Sequence, residues 1–225
     1  MSSHPDTRQN FLASTHTLRN IRRDFCEWHL GRPRFAIWAI DVDVPAVRQH
    51  VAAAEQHLAG LLLDGYRRQP HITLGICGFL SHPPHREDDF VPATFGQHIE
   101  ALQRARLPPF EIEIGQLCSF SSAPFFHISD PNGHITTLHN CLAPHSAQNP
   151  PYIPHITVGL YAERWPSLAV SKKLDSFAYL EVSRCVVQRV SLMSYQSADI
   201  GGPLTTIADY HLGQASLDWH EAPLF

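Results

Sequence analysis

Apolar residues along this chain either alternate with polar ones or recur every three to four positions, in short segments separated by proline, glycine and asparagine. Phe35-Ala36-Ile37-Trp38-Ala39-Ile40-Asp41-Val42 is a nearly unbroken apolar run of strand length. Pro45 opens a helix to about Leu63, with Val47, Val51, Ala54, Leu58 and Leu61 on one face. A strand is predicted over His71 to Leu80, then a polar, proline-containing loop over Ser81 to Asp89 and a helix from about Thr94 to Arg106. Phe110 to Phe120 reads as a strand, since Ile112 and Ile114 alternate with Glu111 and Glu113. The second half repeats the theme: strand Phe125 to Ser129, turn Asp130-Pro131-Asn132-Gly133, and helix from His134 to about Cys141. Strand Pro154 to Tyr161, helix Trp165 to Phe177, and strands Glu181 to Tyr195 and Thr205 to Leu212 follow. Strand–helix–strand–helix–strand thus occurs twice, which predicts an α+β protein of two pseudo-equivalent lobes around a cleft. Ahead of them, Leu18, Ile21, Phe25 and Trp28 predict a short helix over Thr17 to His29, broken at Gly31-Arg32-Pro33. Residues 1–33 are read as an extension, 34–213 as the body and 214–225 as a tail.

One motif occurs in both lobes. Pro70-His71-Ile72-Thr73-Leu74-Gly75 returns 84 positions later as Pro154-His155-Ile156-Thr157-Val158-Gly159, with five of six residues identical. Side chains on a strand alternate faces. His71, Thr73 and Gly75 therefore share one face, and Ile72, Leu74 and Ile76 the other. The second copy divides the same way, with His155, Thr157 and Gly159 opposite Ile156, Val158 and Leu160. Packing accounts for the proline, isoleucine and glycine of such a repeat. It does not account for an imidazole and a hydroxyl on the face away from the core. The glycines are read as keeping the floor of a site clear.

Composition narrows the chemistry. At 225 residues, 44% hydrophobic and 17% charged, the chain suits an ordinary globular protein. A net charge of -4 argues against holding long nucleic acid by charge, but leaves a small nucleotide or an RNA end open. The five cysteines are scattered without CxxC spacing and read as reduced thiols of a cytoplasmic protein. No apolar run has membrane-spanning length, so no membrane association is expected. His82, His85, His134, His139 and His145 invite a metal reading, but lack the tight cysteine- or carboxylate-containing spacing of zinc sites. No metal and no cofactor are predicted. Among the aromatics Trp38, Phe120, Phe126, Tyr152 and Tyr195, Tyr152 and Phe126 are the candidates for stacking on a base. Arg67 and Arg68, just before the first motif, and Ser119, Ser121 and Ser122 are weighed as phosphate contacts against a plain surface role.

The paired His71-Ile72-Thr73 and His155-Ile156-Thr157 motifs resemble those of the 2H phosphoesterase superfamily, in particular its branch of 2′,5′ RNA ligases and RNA cyclic phosphodiesterases. The resemblance covers roughly residues 34 to 213. It implies a bilobal fold of two pseudo-symmetric mixed sheets with flanking helices and a central cleft. It also implies a metal-free site acting on 2′,3′-cyclic phosphate or 2′,5′-phosphodiester linkages of an RNA terminus or a small cyclic nucleotide. His71 and His155 would be acid and base, in an order the motif leaves open, and Thr73 and Thr157 would bind phosphate. Some members carry an arginine soon after the second motif; here Gly159, Leu160 and Tyr161 follow, and Arg164 is the first arginine. A monomer is expected. The rival reading is a module that holds a nucleotide in the same cleft without turnover.

Overall fold

The apolar run at the start of the body becomes the strand around which the larger sheet is built. The computed structural model describes residues 4–143, 152–178 and 184–222. In chain order the first half contains α1 (His4–Ala13), α2 (Cys26–His29), β1 (Arg34–Asp41), α3 (Pro45–His57), β2 (His71–Phe79), α4 (Pro92–Ala105) and β3 (Phe110–Ser119). The second half contains β4 (Pro124–Ser129), α5 (His134–Leu142), β5 (His155–Thr157), α6 (Ser167–Asp175), β6 (Arg184–Val187), β7 (Arg189–Gln196), β8 (Thr205–His211) and β9 (Ser216–Trp219). Two sheets form, with strand orders β2-β1-β7-β8-β9 and β5-β4-β3-β6.

Every pairing between these strands is antiparallel, where mixed sheets were expected. The reason lies in the return path after each helix. Asp41, the last residue of β1, pairs with His71, the first of β2, so α3 leaves the end of the sheet and the segment after it comes back to that same end. Each sheet also borrows from the other half of the chain. β7 pairs with β1 and β3 pairs with β4, so the third strand of the first half and the fourth of the second each join the other half's sheet. Helices cross too: His50 of α3 packs its ring 4.4 Å from Phe126 of β4, and α5 packs on β2. The apolar stripe Val47, Val51, Ala54 and Leu58 is thereby buried in one core with Trp38, Ile72, Phe126 and Ile156. The segment read as one strand over Glu181 to Tyr195 is two strands in different sheets, broken at Gln188, and residues 181–183 lie outside the described residues. Residues 216–219, assigned to the tail, extend the first sheet as β9.

The helix expected over Thr17 to His29 does not form. Only Cys26–His29 is helical, and a separate helix covers His4–Ala13. The intervening backbone bonds to the body instead: Thr17 N–H donates to Trp165 O, Leu18 N–H to Ser121 O and Asn20 N–H to Tyr161 O. Leu18 and Ile21, which a helix would have buried, remain exposed. Further on, Arg22 reaches Asp199 at 3.0 Å, Trp28 packs on Phe35 and Phe79, and buried Arg32 pairs with Asp88 and Asp89. The extension is therefore a strap that begins on the second sheet and ends on the first.

Candidate active site

The two motif strands are edge strands, β2 of one sheet and β5 of the other, and these edges meet. A proline precedes each histidine, and the residue before a proline is held extended. In both copies that residue's carbonyl accepts the ring Nδ1–H: His71 donates to Gln69 O and His155 to Ile153 O, each at 2.7 Å. A carbonyl only accepts, so each neutral ring carries its proton on Nδ1 and has a lone pair on Nε2. Burial pushes the imidazolium form of His71 down to about 4, helped by the positive charge of Arg68 and the nearby His155, and opposed by the Gln69 carbonyl and Asp41. His155 is also lowered by burial. Its ring meets the edges of Phe120 and Phe125 at 5.0 and 5.3 Å.

The strands differ in ways the repeat conceals. β5 is only three residues long, against the eight expected. In β2, Thr73 pairs with Ala39 and Gly75 with Trp38, which leaves Leu74 as a bulge; Cys77 is a second. The first bulge carries Gly75 to the core face, where a Cβ would lie 2.6 Å from Leu142 O. It turns Ile76 outward, 70% exposed, instead of inward with Ile72 and Leu74. A Cβ on Gly159 would meet Leu62 at 3.1 Å. Both glycines therefore make room for protein atoms, Gly75 at the wall of a cleft. The bulge also lets consecutive carbonyls of β2 be engaged from outside the sheet. Tyr152 Oη–H donates to Thr73 O at 2.8 Å and His139 Nδ1–H to Leu74 O at 2.7 Å, with the two rings stacked at 3.8 Å.

Thr73, Tyr152 and His155 lie at the wall of a cleft of about 1160 Å³ that continues between α4 and α5, past Gln97, Arg104 and Asn140. Phe126 is not brought there. It is fully buried on the core face of β4, beside Ile156, while its neighbour Phe125 stands beside Thr157 on the histidine face. Trp38 is equally buried and donates its indole N–H to His98. Ser119 bonds the Tyr161 hydroxyl at 2.6 Å, and the Ser121 and Ser122 carbonyls hold the strap, so this loop is structural. Arg67 pairs with Asp199 at the surface. Arg68 lies over the Tyr195 ring at 4.1 Å.

Among the described residues, one cluster has metal-ligating atoms within 4.8 Å of one another: Asp24, Cys26 and His29. His145 lies outside the described residues. The Gly31 N–H donates to His29 Nδ1, which places the ring proton on Nε2, against Asp24 at 2.6 Å. Cys26 Sγ–H also donates to Asp24, at 3.2 Å, so the three side chains are joined by hydrogen bonds. Among the described residues no helix is long and apolar enough to cross a membrane.

The family model of the 2'-5' RNA ligase superfamily matches residues 43–199. No curated protein sequence matches the chain. Among solved structures, that of E. coli LigT complexed with 3'-AMP superposes with a TM-score of 0.51 at 16% identity, over 80% of this chain and 98% of that one. TT0787 of Thermus thermophilus gives 0.50 at 14% identity, over 80% and 98%. At these identities the likeness is one of fold. With a family match over most of its length, two antiparallel sheets and a His-x-Thr pair on each of the two edges that meet, the chain belongs to the 2'-5' RNA ligase superfamily, a group of 2H phosphoesterases.

Proposed function

We propose that the protein hydrolyses 2′,3′-cyclic phosphodiesters at an RNA end or on a small nucleotide, using His71 and His155 as its acid–base pair. The observation that carries this reading is the matched anchoring of both rings through Nδ1, which reserves both Nε2 atoms for a substrate. One imidazole takes a proton from water as its oxygen attacks phosphorus. The other gives a proton to the sugar oxygen as the P–O bond breaks. Such assistance contributes on the order of 10²–10⁴-fold. The Thr73 and Thr157 hydroxyls donate to the phosphoryl oxygens, which gather charge in the transition state. The LigT structure with 3'-AMP supports a nucleotide as the cleft's ligand. The reverse sequence of the same steps would join RNA ends through a 2′,5′ linkage.

The test is incubation with EDTA and each nucleoside 2′,3′-cyclic monophosphate, plus an RNA oligomer ending in a cyclic phosphate, with products separated against 2′- and 3′-monophosphate standards. Turnover is expected, and His71→Ala or His155→Ala should each reduce it about 10²–10⁴-fold while leaving the fold intact. A single variant with a near wild-type rate would sink the two-histidine mechanism. The profile of kcat/KM against pH should be a bell displaced to the acid side, because burial lowers His71 to about 4. His155 is lowered by burial too, so the optimum lies on the acid side of about 6.5 whichever ring is the base. One observation favours the rival reading of a nucleotide-holding module: burial keeps both rings neutral at pH 7, which leaves no acid until a phosphate anion binds between them. Micromolar nucleotide binding without any product would favour it.

A further inference from the structure

The chain enters its two motifs in different ways. The segment leading to His71 is anchored within its own lobe. Arg67 N–H donates to Gly201 O and Arg68 Nε–H to Gly202 O, and the Gln69 side chain makes two bonds of 2.7 Å to the Leu204 backbone. All three partners lie in the loop that enters β8 of the same sheet. The segment leading to His155 is anchored across the lobes. Tyr152 Oη–H donates to Thr73 O of the first motif at 2.8 Å, while Pro154 O accepts the Ile128 N–H of β4 in the second sheet. Between these two anchors sits Ile153, whose carbonyl holds the His155 ring through Nδ1. Beyond the motif, Leu160 O and Ala162 N–H are bonded to Leu63 and Leu61. The second motif is therefore tied to the first half of the chain both before and after it.

The tie before the motif is braced. The Tyr152 ring lies on that of His139, with centroids 3.8 Å apart and planes 5° from parallel. His139 in turn donates its Nδ1–H to Leu74 O at 2.7 Å. Two stacked rings from the second half thus grip consecutive carbonyls of β2. They do so where the strand most needs support, because the bulge at Leu74 interrupts the ladder to β1 immediately after Thr73. Burial pushes the Tyr152 phenol well above its ordinary value, so it remains a neutral donor throughout the range in which the imidazoles titrate.

We propose that Tyr152 is a positioning residue: braced by His139, it sets the place and orientation of His155 relative to Thr73 of the first motif. Its effect on rate rests on the hydrolytic reading above; the tie between the motifs does not. An imidazole from one lobe and a hydroxyl from the other serve one phosphate only while their spacing is kept. A misplacement of about 1 Å costs on the order of 10²-fold. Tyr152 spends its hydroxyl on the Thr73 carbonyl and acts through the two motifs, not on the substrate. Its loss is therefore felt in kcat and not in KM.

The experiment uses the full chain and Tyr152→Phe, which deletes the hydroxyl and keeps the ring that stacks on His139. Imidazole nitrogen NMR without substrate reads the tautomers of His71 and His155, and turnover of a nucleoside 2′,3′-cyclic monophosphate gives kcat and KM. In the wild-type chain both rings should show a single tautomer, protonated at Nδ1. In Tyr152→Phe, His155 should lose that single tautomer while His71, whose segment is anchored through Gln69 and Leu204, keeps it. The value of kcat should fall about 10–10²-fold, with KM unchanged within about twofold. Ile207→Val trims the core in β8, which pairs with neither motif strand, and should leave kcat and both rings as they are. An unchanged His155 ring in Tyr152→Phe overturns the proposal. A raised KM with unchanged kcat overturns it too, since Tyr152 would then be a substrate contact. So does an equal loss of kcat in Ile207→Val, which would make the effect one of stability. A His155 ring released as expected in a protein whose wild-type chain turns over no cyclic phosphate leaves the tie standing and overturns the hydrolytic reading.

Discussion

Histidine is the residue on which this protein turns, and its burial has a cost as well as a use. His50, His71, His98 and His155 are all lowered first of all by burial. In the unfolded chain each returns to about 6.5. As pH falls below that value the unfolded chain takes up protons that the folded chain refuses, so stability declines with acidification. For His71 the decline runs from about 6.5 down to about 4 and amounts to about 3 kcal/mol. Glu55, raised by burial, pulls weakly the other way. The urea midpoint should therefore drop across this window, and His71→Gln should flatten the drop; a midpoint that holds steady or rises between pH 6.5 and 4 contradicts the account. At this scale the motif was readable, because an imidazole and a hydroxyl two positions apart are a chemical pattern independent of packing. The choice between Phe125 and Phe126 was not. Both belong to the apolar run Pro124-Phe125-Phe126, and only the register of β4 against β5 decides which faces the histidine.

At the level of strands and helices, periodicity located the elements but not their irregularities. Alternation assumes an unbroken ladder, and the bulge at Leu74 breaks it one residue after Thr73. His71 and Thr73 lie before the break and keep the shared face that was expected; Gly75 and Ile76 lie after it and exchange faces. α1 was missed because His4–Ala13 has no apolar stripe; Phe11 and Thr7 are its buried residues among 7–13. The strap was misread because Leu18 and Ile21 recur at helical spacing while their backbone bonds elsewhere. Two glycine substitutions should have opposite signs, one beside the bulge and one in a helix. Gly75→Ala sets a Cβ against the Leu142 carbonyl, an obstacle that belongs to backbone and cannot swing aside. It should cost about 1–3 kcal/mol. Gly96→Ala, in α4 with nothing within 4 Å of its Cβ, should gain about 0.5–1 kcal/mol from helix propensity. Thermal melts of the two variants should move in opposite directions.

For the molecule as a whole, the question is what holds two lobes at the spacing a two-histidine site requires. Exchange of strands and helices between the halves gives both sheets one core, so the lobes are not separable units. Where the lobes adjoin, the backbone is also joined directly: Leu63 N–H donates to Leu160 O and Ala162 N–H to Leu61 O. The strap crosses this junction. On the second lobe it grips the loop that carries Phe120 against His155, through Leu18 to Ser121 and Asn20 to Ser122. On the first it reaches Asp199, beside Gly201 and Gly202, to which the segment carrying Arg67 and Arg68 is bonded. Its firmest point is Thr17, fully buried, whose hydroxyl donates to Glu163 O at 2.7 Å and accepts from Trp165 N–H at 2.8 Å. Thr17→Val keeps the shape and deletes both bonds, stranding a buried donor and acceptor at a cost of about 1–3 kcal/mol. If the strap clamps the junction, hydrogen exchange at the Leu63 and Ala162 amides should accelerate in Thr17→Val more than at Ile40 or Leu192 in the heart of the first sheet. Uniform acceleration would mean only a less stable fold. Unchanged exchange at the junction, with the strap's own amides exposed, would mean that the strap rides on the lobes without holding them together.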